Sequence, residues 1–79
     1  MSKSRQDQPS EARRDLPALV ARVGAAVRRL RNAQGLTLAD VAGRAGISSA
    51  MLSRVETGDV APSLDTLAAL ADALGTSCA

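Results

Sequence analysis

At 79 residues with no Phe, Tyr or Trp, the chain supports one domain whose core is built from Leu, Val, Ile, Met and Ala. It has no His, and its one Cys, Cys78, stands next to the last residue; this excludes an internal disulfide, argues against metal or cofactor chemistry, and removes most nucleophile and base pairings of enzymes. The net charge of +2 hides a segregation: all ten Lys and Arg lie at or before Arg54, where four acids leave +6, while four further acids leave −4 beyond it, so an anionic partner belongs on the first part.

Residues 1–15 are polar, charged and without periodicity, and read as a flexible polar N-terminal arm. From Leu16 the apolar residues Leu16, Val20, Val23, Val27 and Leu30 recur at helical spacing, with Asp15 as N-cap and Pro17 in the first turn. Gly35 ends this helix. A second, short helix starts at Thr37 as N-cap with Asp40 three residues on, and Leu36 and Val41 are spaced for a hydrophobic staple. Its inner face is Val41, Ala42 and Ala45, and Gly46 stops it. Ser48 repeats the cap, with Ile47 and Leu52 as a second staple, and Leu52 and Val55 continue the buried face of a third helix to about Thr57. After a breaker-rich stretch, Ser63 caps a fourth helix read with Leu64, Leu67, Ala71 and Leu74 inward and Gly75 at its end.

Two short helices joined by a tight glycine turn suit a fold that lays one helix across a DNA backbone and the next in the major groove. The sequence Val23-Gly24, Val27-Arg28-Arg29-Leu30-Arg31, Gly35-Leu36-Thr37, Val41-Ala42, Ala45-Gly46-Ile47-Ser48, Leu52-Ser53-Arg54-Val55-Glu56, Gly58, Pro62-Ser63 and Leu67 to Gly75 resembles the Xre-type helix-turn-helix family, which includes phage repressors and Cro proteins. The likeness runs over residues 23–75. It implies an all-α fold, a compact four- to five-helix lambda-repressor-like DNA-binding domain over residues 16–79, with the helix-turn-helix at about 37–57.

What the family does with these positions gives the expected site. The base-reading positions carry over to Ser49, Ala50 and Arg54, with Met51 as a secondary candidate. A guanidinium at Arg54 suits the guanine O6 and N7 pair; its alternative is a solvated or phosphate-bound arginine. Ser49 reaches a base or a water, Ala50 offers a methyl to thymine, and Met51 equally suits a gap at the edge of the core. Phosphate candidates are Thr37, Ser48, Ser53 and Thr57, with Leu38 through its backbone amide, since its side chain holds no phosphate. Helix capping is the competing use of Thr37 and of Ser63. In the phage-repressor branch the positions of Arg31 and Glu56 pair as a partly buried salt bridge, so the same structural salt bridge is expected here. Arg22, Arg28, Arg29 and Arg44 read as a solvated basic face.

The expected function is that of a sequence-specific DNA-binding transcriptional regulator, a repressor, with double-stranded DNA as partner and a homodimer on a near-palindromic operator. The alternative is a protein-binding antitoxin-like or scaffold module of the same fold. No apolar run approaches the roughly 20 residues of a membrane span and residues 1–10 lack a signal-peptide core, so the expected location is cytoplasmic, with no membrane partner. The family also implies a piece of a longer regulator, with a small-molecule effector acting through a cupin-like C-terminal domain.

Overall fold

The computed structural model describes the backbone of residues 2–75 and the side chains of residues 15–75; Cys78 lies outside the described residues. Among these residues the chain forms four helices: α1 (Ser2–Ala33), α2 (Leu38–Ala45), α3 (Ser49–Thr57) and α4 (Leu64–Ala73). Local chemistry fixes most of the boundaries. The Thr37 side chain accepts from the Asp40 amide at 3.0 Å while the Asp40 carboxylate accepts from the Thr37 amide at 2.9 Å, a reciprocal cap at the start of α2. Ser48 and Ser63 accept from the amides of Met51 and Thr66 at the starts of α3 and α4.

The first helix begins earlier than the apolar spacing indicates. Its backbone is helical from Ser2, so the segment read as an arm is its first part, and Asp15 lies within the helix instead of capping it. The physical reason is that apolar periodicity marks where a helix has something to pack against, while Glu11, Ala12, Arg13 and Arg14 are good helix formers with no apolar stripe to announce them.

α1 packs on α3, and α2 packs on both α3 and α4. The core is Val27, Val41, Ala42, Leu52, Val55, Leu70, Ala73 and Leu74, with Leu36, Leu38 and Ile47 closing its edge. Leu52 and Leu70 are almost fully enclosed, and each contributes about 1.5–3 kcal/mol by leaving water. Two parts of the expected core differ. α4 turns Leu70, Ala73 and Leu74 inward and leaves Leu64 at 84% exposure, because every side of this helix carries leucine or alanine and the contact with α2 chooses the face. On α1, among the residues whose side chains are described, Gly24 and Val27 are buried, whereas Leu16 and Leu30 remain 50% and 39% exposed.

Two polar contacts close the carboxyl end of α4. The Gln34 amide donates to the Leu74 carbonyl at 2.6 Å and the Arg44 guanidinium to the Ala73 carbonyl at 3.3 Å. Carbonyls at a helix end lack intrahelical donors and carry partial negative charge. Arg44 is therefore a helix-end cap in addition to being exposed, a use that reading it as part of a solvated basic face did not include.

Candidate nucleic-acid interface

The turn between α2 and α3 is made almost entirely by backbone bonds. Gly46 has φ 74°, a left-handed conformation that side-chain-bearing residues avoid. From it the Gly46 amide donates to the Gly43 carbonyl at 3.3 Å and the Ile47 amide to the Ala42 carbonyl at 3.0 Å. This is the paired closure of a Schellman motif, and its accompanying apolar contact is supplied by Ile47 and Ala42, both packed on the core. Ser48 then starts α3 at once, so three residues separate the two helices.

α3 is sharply two-sided. Leu52, Val55 and Glu56 are buried, while Ser49, Ala50, Met51, Arg54 and Thr57 are exposed and Ser53 is half-buried. Ser49, Ala50 and Arg54 thus share the outward surface. Among the described residues no side chain pairs with the Arg54 guanidinium, which leaves its fork of donors available. Met51, at 40% exposure, stands with this surface and does not fill the core edge.

The phosphate candidates differ in what their hydroxyls have left to give. Thr37 and Ser48 use an oxygen lone pair to cap their helices, so each keeps its proton for an outside acceptor. Thr57 donates its proton to the Arg54 carbonyl at 3.1 Å and is poorly placed to serve a phosphate. Ser63 is similarly engaged, donating to the Thr66 hydroxyl at 3.0 Å. The Leu38 side chain packs on the core edge, while helix geometry leaves the Leu38 and Ala39 amides at the start of α2 without an intrahelical acceptor. The Asp40 carboxyl is held below its ordinary value, first by the Thr37 backbone amide.

α3 is held in place from behind by charge and by a close backbone approach. Arg31 Nε donates to Glu56 Oε2 at 2.7 Å and the second arm of the fork reaches Glu56 Oε1 at 3.0 Å; the third guanidinium nitrogen donates to the Leu36 carbonyl at 3.0 Å. The two side chains are only 13% and 5% exposed. The hydrogen bond to Glu56 keeps the Arg31 guanidinium even more firmly charged than usual. One arginine therefore joins α1, α3 and the turn before α2.

The sequence reading named Gly24 only among the residues that match the family and gave it no role; it makes the crossing of α1 and α3 possible. A Cβ at that position would overlap the Val55 carbonyl oxygen and come within 2.9 Å of the Glu56 carbonyl oxygen. A glycine in the middle of a long helix, where it costs about 1 kcal/mol relative to alanine, was the available signal.

A family model described as a helix-turn-helix domain matches residues 22–79. The chain belongs to the Xre-type helix-turn-helix family. This Xre-type domain is 49% identical over 49 residues to the HTH-type transcriptional regulator DdrOP3 of Deinococcus deserti, covering 62% of this chain and 38% of that protein. It is 46% identical over 55 residues to the uncharacterized HTH-type transcriptional regulator y4dJ of Sinorhizobium fredii, covering 70% and 71% of the two. The domain thus spans well under half of the first relative and most of the second. Among solved structures it is similar to the restriction-modification controller protein C.AhdI from Aeromonas hydrophila, with a TM-score of 0.74 at 32% identity over 76% of this chain and 91% of that one. The clp gene regulator ClgR from C. glutamicum gives 0.72 at 37% identity over 75% and 77%.

Proposed function

We propose that this Xre-type domain is the DNA-reading part of a transcriptional regulator and binds double-stranded DNA by laying the outward face of α3 in the major groove. The observation that carries the reading is that face itself: Ser49, Ala50 and Arg54, which has no side-chain partner among the described residues, lie on one exposed surface whose reverse side is bolted to α1. Arg54 reads guanine as a two-pronged donor, and Ser49 and Ala50 add a short polar group and a methyl. Thr37 and Ser48, with protons to spare, and the amides at the start of α2 take flanking phosphates. Within the chain, residues 16–79 are the binding domain and residues 1–15 an appendage to it. The domain acts as a homodimer on a near-palindromic site, with recognition helices about 34 Å apart, and represses from the cytoplasm as a binding module without catalysis. Among the described residues no helix is long and apolar enough to cross a membrane.

The test is selection from a random duplex library at physiological salt, followed by titration of the enriched duplex with wild type and Arg54→Ala. The expected outcome is a motif with dyad symmetry whose discrimination at one base pair falls by about 1–3 kcal/mol in the variant. Loss that is uniform over all sequences, with a shallower salt dependence, would move Arg54 to a phosphate. No enrichment at all would overturn sequence-specific reading and favour the protein-binding module.

A further inference from the structure

Assembly of the core leaves a broad apolar surface behind. On α1, Leu16, Leu19, Val23, Ala26 and Leu30 follow at steps of three, four, three and four residues, the repeat of a helix-pairing seam. α3 meets α1 elsewhere, at Gly24 and Arg31, and Gly58 just after α3 lies against Ala21. Leu16, Leu19 and Leu30 are 50%, 47% and 39% exposed. The carboxyl half of the seam forms one wall of an open groove of about 190 Å³, and Leu67, Leu70, Ala71 and Leu74 of α4 form the other. Leu64, one turn before Leu67 on α4, is 84% exposed. Leu16, Leu19, Leu30 and Leu64 are all exposed, with Leu30 lining the groove itself, and four large apolar side chains on these two helices exceed the scatter of lone apolar residues on an ordinary surface.

Charge separates the two edges. Arg22 and Arg29 are exposed, each one residue before a groove residue of α1, and they stand seven residues apart on one side of the helix. Asp65 and Asp72 are exposed on α4, also seven residues apart. Each pair therefore spans about 10 Å along its helix. A surface with one basic and one acidic edge of equal length complements itself under a two-fold rotation, whereas two edges of like sign would repel their own copy.

We propose that this groove is the dimer surface of the chain, and that its occupant is a second copy. The α1 seam of each copy enters the α1–α4 groove of the other, with Arg22 and Arg29 of one facing Asp65 and Asp72 of its partner. The apolar seam supplies the affinity and the charged edges fix the register, because exposed ion pairs add little stability by themselves. The assignment presupposes the dimer proposed above and adds where it forms. Since α3 approaches α1 from another side, the dimer leaves the face of Ser49, Ala50 and Arg54 open.

Sedimentation of the whole 79-residue chain over the micromolar range tests this, on wild type, Leu19→Glu, an Asp65→Lys/Asp72→Lys variant and an Arg22→Glu/Arg29→Glu variant. Wild type is expected to dimerise. Leu19→Glu, at a half-exposed position, is expected to keep its helical circular dichroism while its dimer weakens at least about tenfold. Each charge variant alone is expected to weaken self-association, and mixing the two is expected to restore pairing as a heterodimer. A wild type that dimerises while Leu19→Glu dimerises equally well overturns the surface but keeps the dimer. A wild type that stays monomeric overturns both and leaves the groove to another protein. Titration of a half-site duplex with Leu19→Glu keeps DNA reading separate, since loss of the seam leaves half-site affinity in place.

Discussion

Replacing Arg31 with alanine removes three hydrogen bonds at once and leaves the Glu56 carboxylate, 5% exposed, without its counter-ion. Breaking a buried pair from one side costs about 3–5 kcal/mol, because the remaining charge stays desolvated. A domain of this length has a total stability of about 4–12 kcal/mol, so the loss is a large part of the whole. At about 4–8 °C per kcal/mol for a domain of this size, the melting temperature falls by at least about 12 °C. Thermal melts followed by circular dichroism at neutral pH, for wild type, Arg31→Ala and a double Arg31→Met/Glu56→Leu variant, measure this. The double variant removes both charges together and recovers most of the loss, short of about 1 kcal/mol for the Leu36 carbonyl that has lost its donor. A fall of less than about 4 °C in Arg31→Ala would refute the reasoning, since that is what an exposed pair gives.

Gly24→Ala gains roughly 1 kcal/mol of helix propensity but drives a methyl into the Val55 and Glu56 carbonyls, so urea melts are expected to show a net loss of about 1–3 kcal/mol. Gly43→Ala is its matched control: among the described residues no atom beyond its own chain neighbours and helix backbone lies within 4 Å of the added methyl, and stability is expected to rise by about 0.5–1 kcal/mol. Asp40 titrates below its ordinary 3.8 in the folded chain because of its bonds to Thr37, so its contribution is present above that value and is lost as pH falls through the folded value. Acid titration of the melting temperature is expected to lose part of its slope in Asp40→Asn.

The local grammar of the chain was open to reading because each signal acts over a few residues. Thr37, Ser48 and Ser63 bind amides three positions on, and Gly46 needs only its own φ to end α2. What a neighbouring helix decides was less legible. α4 carries leucine or alanine on every side, so its period could not say that Leu70 would be buried and Leu64 exposed. Arg44 reaches a carbonyl 29 residues away, beyond any spacing rule. Arg31 and Glu56 stand 25 residues apart, and only the family resemblance put them side by side. The beginning of α1 escaped for the opposite reason: residues 2–14 hold no apolar periodicity, and apolar spacing was the signal used to place the start of the helix.

The glycine at the crossing of α1 and α3 also bears on precision. Where side chains separate two helices, rotamer changes act as a soft layer that lets one helix creep along the other. At Gly24 that layer is missing, and the backbone of α1 faces the carbonyls of α3 directly. Peptide groups have no rotamers through which to yield. Any tilt imposed on α1 therefore passes to α3 undamped, so in the dimer proposed above two such domains would act as a fixed-span caliper, tolerating little change in the distance between half-sites.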